Sequence, residues 1–157
     1  MTRIFSAFLL LALAGCATST QWVTFPSSGG GKGITLDTWL KEHPLKADQA
    51  VSLEELSRGE TASAHIVQIR EQEPLHVHES HDATAIMLKG RGILWIGDRK
   101  LQLKPGSIVT IPRGVPHSFT NQSPEPAVAY VMFNPAFDGK DFVPVTVRSK
   151  EAPAGKK

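Results

Sequence analysis

Three of the six histidines have a spacing that suits a metal site. His76 and His78 are two residues apart in a run of strand-forming residues, so both rings should project from the same face of one strand. His117 follows a turn rich in Pro and Gly, where a second inward-facing strand is expected to begin. Imidazole is the commonest protein ligand for metals, so the pattern points to three nitrogens around one point. A His-x-His pair also occurs on strands that face solvent, and spacing alone leaves that alternative open.

The residues around these histidines carry a more specific pattern. The segment that contains His117 has the defining positions Gly106, Pro112, Gly114, His117 and Asn121. These positions match the second motif of the cupins, and His76-Val77-His78 followed by Gly90 matches most of the first. Over about residues 60–135 the chain therefore resembles the cupin superfamily. The resemblance implies a small β-barrel that holds one divalent metal through two close histidines, a glutamate and a later histidine. It makes His76, His78 and His117 the ligands.

The chain departs from that family pattern at the glutamate. Seven residues before Gly90, at the family's glutamate position, stands Ala83, which cannot bind a metal. Asp82 and Glu79 are neighbours that could replace it, but Asp82 is one residue off the inward face and would need a bulge to point inward. We therefore expect a three-histidine site with open positions and keep Asp82 as an alternative fourth ligand. Iron is the favoured metal, with manganese, zinc, copper and nickel as alternatives.

Other side chains are assigned to the pocket or to the surface. The apolar residues expected to line a ligand pocket inside the barrel are Met87, Trp95, Phe119 and Met132. His43 is interpreted as a surface residue, and His65 could be buried or exposed. His81 and Arg113 are interpreted as solvated loop and turn residues, with contact to a ligand as the alternative for His81 and binding of an anionic substrate as the alternative for Arg113.

The elements that must position these residues are short strands. From about residue 61, runs of β-forming residues alternate with turn residues every eight to twelve positions, which is typical of an all-β sandwich or small barrel. The predicted strands are Ala64–Ile69, Pro74–His78, Ala83–Leu88, Gly92–Ile96, Lys100–Leu103, Ser107–Ile111, His117–Thr120 and Val128–Phe133. A hairpin turn is expected at Gly97-Asp98. The fold class predicted is all-β, a single cupin barrel of the jelly-roll type over residues 61–148.

The segment before the barrel, residues 34–60, is predicted to form short helical turns. One is expected over Leu36–Leu40 with Asp37 as its cap, and another over Ser52–Leu56. The tail 149–157 is polar and is expected to be disordered.

The first sixteen residues are typical of an export signal. Met1-Thr2-Arg3 gives a positive start, Ile4–Ala14 is a nearly unbroken apolar run, and residues 1–15 form the predicted signal peptide. Leu13-Ala14-Gly15-Cys16 resembles the lipobox of bacterial lipoproteins, which implies that Cys16 is lipidated and anchors the chain to a membrane. Residues 16–33 would then be a flexible tether. Because Ala17 follows the cysteine where an aspartate would favour the inner membrane, the resemblance favours the outer membrane, facing the periplasm.

Composition narrows the function classes. The chain has 157 residues, which suits one domain, and a formal net charge of +2 without a block of like charges, so no nucleic-acid partner is expected. A single cysteine excludes an internal disulfide. The leading hypothesis is a lipid-anchored cell-envelope cupin that acts on a small molecule, as an iron-type dioxygenase if it is an enzyme. The competing hypotheses are a non-catalytic ligand-binding or sensing module and a degenerate barrel kept as a scaffold. The resemblance also implies a homodimer as one alternative for the assembly.

Overall fold

The computed structural model describes residues 21–23 and 33–146. The predicted signal peptide 1–15, Cys16 and the predicted tail 149–157 lie outside the described residues, as does most of the predicted tether 16–33. Within the described ranges, no helix has the length and apolar character that a membrane span needs.

Strands make up most of the described chain, and the predicted all-β class is confirmed. The strands are β1 (Trp22–Val23), β2 (Ile34–Thr35), β3 (Val51–Arg58), β4 (Ser63–Ile69), β5 (Gln72–Val77), β6 (Asp82–Lys89), β7 (Gly92–Ile96), β8 (Arg99–Leu103), β9 (Ile108–Ile111), β10 (His117–Asn121), β11 (Ala127–Asn134) and β12 (Val143–Pro144). One helix, α1 (Leu36–Glu42), lies between β2 and β3. Each of the eight strands predicted from the sequence is present, with ends that differ by at most two residues.

Two five-stranded antiparallel sheets form a jelly roll of the cupin type. One sheet has the order β12-β5-β10-β7-β8 and the other the order β3-β4-β11-β6-β9. Side chains that alternate toward the inside of both sheets form the main core, with Val67 and Val131 from one sheet and Leu94 and Phe119 from the other. The hairpin between β7 and β8 turns at Gly97-Asp98, as predicted, because Ile96 and Arg99 are paired across it.

The N-terminal elements pack on the outer face of the second sheet. Leu36 and Trp39 of α1 are buried against Ile66 of β4 and Val128 of β11, residues that alternate with those of the main core. The predicted helix is present, but its cap was wrong. The side chain of Thr35 accepts the hydrogen bond from the Thr38 N–H, whereas Asp37 lies in the first turn.

The second predicted helical turn was also wrong. Residues 52–56 belong to β3, which pairs with β4 from Val51 to Arg58 with a bulge at Leu56. Leucines three residues apart at 53 and 56 gave this segment a helical pattern, but pairing with an adjacent strand decides its conformation. The second five-stranded sheet of the barrel therefore begins at Val51, whereas the predicted barrel began at residue 61.

Candidate metal centre

The three predicted metal ligands meet at one end of the barrel. His76 lies near the end of β5, His78 directly follows that strand, and His117 is the first residue of β10. Because β5 and β10 are antiparallel neighbours, His76 and His117 are directly paired across the sheet. One ring nitrogen from each histidine lies within 4.8 Å of the others, and all three side chains are buried. The three residues could hold a metal ion.

The orientation of each ring is fixed by a backbone carbonyl. The Nδ1 of His76 lies 2.8 Å from the Pro74 carbonyl, and the Nδ1 of His117 lies 3.0 Å from the Val115 carbonyl. The Nδ1 of His78 is hydrogen-bonded to the Asp141 carbonyl. A carbonyl only accepts, so each Nδ1 carries the proton and donates it, and each Nε2 keeps its lone pair. This second layer of contacts is what metal-binding histidines require.

One of these Nε2 atoms lacks a hydrogen-bond partner among the described residues. His76 is 0% exposed, and its Nε2 has no hydrogen-bond partner within residues 21–23 and 33–146. A buried acceptor without a donor is costly, and a metal ion would satisfy it. The donor set therefore fits a divalent transition metal, which takes imidazole nitrogen readily.

Burial favours the neutral form of two of the three histidines. Burial, followed by the proximity of His117, lowers the pKa of His76 to about 4. Burial also lowers the pKa of His117. A histidine must be neutral to bind a metal, so these shifts reduce the competition from protons.

A buried aspartate from the C-terminal segment braces the site. The carboxylate of Asp141 accepts hydrogen bonds from the backbone N–H groups of Glu79, Ser80 and His81 at 2.8, 2.9 and 3.1 Å. It also contacts the Nδ1 of His81 at 2.5 Å. Burial raises the pKa of Asp141, but the hydrogen bonds from His81, Ser80 and Glu79 outweigh it and bring this pKa to about 2. Asp141 thus contacts the site twice. Its carboxylate binds the loop after β5, and its backbone carbonyl orients the ring of His78.

The next residues of the same segment cover His76. The ring of Phe142 stacks on that of His76 with 4.0 Å between centroids and 18° between planes. Val143 and Pro144 then form β12, which pairs with Val77 and His76 of β5. Residues 142–144 therefore cover His76 and add an edge strand beside β5.

An apolar cavity of about 150 Å³ extends from the histidines into the barrel. Met87 and Phe119 line it, as predicted. The prediction that Trp95 and Met132 line it was wrong, because both side chains are 42% exposed. In each strand the alternation of side chains turns the neighbours inward instead, Leu94 beside Trp95 and both Val131 and Phe133 beside Met132.

The alternative fourth ligand, Asp82, faces away from the site. Its carboxylate accepts hydrogen bonds from the Arg113 backbone at 2.9 Å and from the Arg113 guanidinium at 2.8 Å. The guanidinium and backbone hydrogen bonds lower the pKa of Asp82 to about 2. Both side chains are nearly half exposed, so Asp82 forms a surface ion pair and the alternative was wrong. Glu79 is exposed as well, and Ala83, at the family's glutamate position, is buried in the cavity wall.

Two of the remaining histidines, His81 and His65, are buried. His81, predicted to be solvated, is buried against Asp141 and Phe137. His65, left open, is buried with its Nε2 2.8 Å from the Ser63 hydroxyl. Neither belongs to the group of ring nitrogens that could hold a metal.

A glutamate that sequence reasoning missed lies beside the histidines. The carboxylate of Glu73 is 4.0 Å from the Nε2 of His76, its side chain is 21% exposed, and it lines the cavity. Burial raises the pKa of Glu73 to about 7. Strict alternation along β5 turns Glu73 away from the face that carries His76 and His78. The signal that could have found it is Pro74, because a proline inside a strand is confined to edges and bulges.

Comparisons with known proteins agree with this architecture. A family model described as a cupin domain matches residues 64–133. An uncharacterized protein of Aquifex aeolicus (strain VF5) is 36% identical over 110 residues, which span 70% of this chain and 89% of that protein. TT1209 from Thermus thermophilus has a TM-score of 0.55 at 24% identity, over 62% of this chain and 95% of that chain. A Streptomyces Pac13 variant with uridine has a TM-score of 0.55 at 13% identity, over 66% and 85% of the two chains. These solved structures share the fold of this chain.

Proposed function

The chain belongs to the cupin superfamily, and on that premise we propose that His76, His78 and His117 hold one divalent metal that binds and acts on a small molecule in the barrel. The observation that carries this proposal is the convergence of three buried ring nitrogens, each on a ring oriented by a carbonyl. Such a metal supplies Lewis-acid or redox chemistry. Iron is favoured, and an iron-dependent dioxygenase is the enzyme we propose, with manganese, zinc, copper and nickel as alternatives.

The cavity wall defines the chemical class of the small molecule. Among the described residues, the polar members of the wall are Glu73, His78 and His117, all at the metal end. The rest of the wall is apolar, so the hydroxyl groups of a sugar or nucleoside would lose their hydrogen bonds there. A space of about 150 Å³ suits a molecule near the size of a benzene ring. The ligand we propose is therefore a compact apolar molecule with one oxygen-bearing head that reaches the metal.

A second candidate function is ligand capture without chemistry. Ala83 stands where the family's glutamate would supply a carboxylate beside the metal, which favours binding over acid–base catalysis. In that case the barrel would sense or store the same class of ligand and release it unchanged.

The location we propose is the cell envelope. The lipobox-like segment that ends at Cys16 supports a lipid anchor, and Ala17 supports the outer membrane with the barrel in the periplasm. A barrel held there would meet small molecules that enter the periplasm.

We expect the cavity to select apolar probes in a binding experiment. Toluene should raise the thermal midpoint of the protein with or without metal, benzoate should do so only with Zn²⁺ bound, and uridine should do neither. Ala85 lines the cavity, so Ala85→Leu should abolish both effects by filling it, whereas the exposed Ala50→Leu control should keep them. Binding of uridine, or toluene binding that survives Ala85→Leu, would contradict the proposed ligand class.

A further inference from the structure

We infer that Glu73 supplies the carboxylate ligand of this metal site, in place of the one missing at Ala83. The inference rests on the proposed metal function and adds a fourth protein ligand to the three histidines.

A bulge in β5 brings Glu73 to the histidine face. His117 pairs with His76 and Phe119 pairs with Glu73, so two steps along β10 correspond to three steps along β5. The extra residue lies between Glu73 and His76 and shifts the alternation by one position. Glu73 therefore shares the inward face with His76, although the two are an odd number of residues apart. Bulges of this kind redirect side chains beside functional sites.

The distance from Glu73 to His76 lies just inside the upper limit for two ligands of one ion. Bonds from a transition metal to nitrogen and oxygen are about 2.0–2.2 Å, so two ligand atoms of one ion lie at most about 4.2–4.3 Å apart. The Oε1 of Glu73 and the Nε2 of His76 are 4.0 Å apart. Glu73 stands outside the group of three ring nitrogens that lie within 4.8 Å of one another, so ligation requires its side chain to turn toward His78 and His117.

The cavity wall around Glu73 offers few polar partners to its carboxylate. Apart from the two histidines at the metal end, the described residues that share its cavity wall are apolar. A carboxylate that is mostly withdrawn from water is stabilised by a partner of opposite charge, and a divalent cation held by neutral histidines would provide it.

The other acidic residues near the site have different roles. Asp82 is paired with Arg113 at the surface, and Asp141 binds the loop at residues 79–81. Glu79 is exposed. Glu73 is thus the acidic member of the described cavity wall, and it lies on the sheet that also carries the histidines, whereas Ala83 lies in β6 of the opposite sheet. The carboxylate ligand inferred here therefore comes from the sheet opposite to the one that carries Ala83.

Cobalt(II) binding to the metal-free protein tests this assignment. We expect Glu73→Gln to bind one Co²⁺ about 10- to 100-fold more weakly than wild type and to change its visible absorption spectrum, because a charged ligand is lost. The control is Glu71→Gln. Glu71 is exposed and directly precedes β5, so this variant should match wild type in Co²⁺ affinity and spectrum. Glu73→Met, which suits the apolar wall, should behave like Glu73→Gln, and circular dichroism checks that both variants are folded.

The outcomes separate this inference from the proposed function. If Glu73→Gln and Glu73→Met bind Co²⁺ with wild-type affinity and spectrum, Glu73 is not a ligand and the three-histidine site stands alone. If wild type binds no Co²⁺, both the inference and the proposed metal function are overturned.

Discussion

Replacing His117 with alanine is expected to weaken metal binding by more than about 100-fold, beyond the effect of losing a residue that only orients a ligand. His117 provides one of the three ring nitrogens that lie within 4.8 Å of one another. Among the described residues, this group contains only His76, His78 and His117, so the variant would keep two of its three ligands. The loss should be measured as metal bound per chain after equilibration with one equivalent of Zn²⁺, Co²⁺ or Fe²⁺ and a competing chelator.

The matched control for this experiment is His43→Ala. His43 is exposed and stacks on Trp39 at the end of α1, on the outer side of the second sheet. The variant removes one imidazole from the chain but none from the site, so metal binding should equal that of wild type. Equal binding by wild type and His117→Ala would contradict the assignment of His117 as a ligand.

Replacing Asp141 with alanine is expected to cost about 3–5 kcal/mol in the free energy of unfolding. The change removes the acceptor for three backbone N–H groups, of which those of Glu79 and Ser80 are part-buried, and for the buried ring of His81. The affinity for metal should also fall about 10-fold, because the segment whose carbonyl orients His78 is no longer tied to the loop. Urea unfolding of the metal-free protein and chelator competition measure the two effects separately.

Asp138→Ala is the control for the Asp141 variant. Asp138 lies in the same segment and is exposed, and its carboxylate accepts hydrogen bonds only from the backbone of Lys140 and Asp141 among the described residues. Its removal should cost less than about 1 kcal/mol, the range of an exposed hydrogen bond. A loss of stability for Asp141→Ala no larger than that of Asp138→Ala would show that the clamp on the loop is not formed.

Much of the fold could be predicted because its signals are local. Turn residues such as Gly97-Asp98 and Pro105-Gly106 bound the strands, and alternation within each strand separates the two faces. The segment at residues 52–56 could not be predicted in the same way, because its helical spacing is overridden by pairing with β4, which is a tertiary effect. Trp95 and Met132 were assigned to the cavity by residue type, whereas alternation, applied strictly, would have placed both outside.

The site was predictable where it follows regular geometry. His76, His78 and His117 obey strand alternation and are brought together, while Asp82 is excluded by the same rule. Glu73 was missed because a bulge in β5 breaks the alternation, and Pro74, the residue in that strand that signals an edge or a bulge, was not taken into account. Asp141 was missed because its partners lie about 60 residues earlier in the chain, and only the closing of the barrel brings them together.

The most direct test of the central claim is the metal content of the protein purified without a histidine tag and without added metal. We expect about one iron, manganese, zinc, copper or nickel ion per chain by mass spectrometry, and a large loss of that metal in His117→Ala. A protein that holds no metal as purified, and takes up none after anaerobic reconstitution with Fe²⁺, would contradict the account and leave a metal-free barrel that binds small apolar ligands.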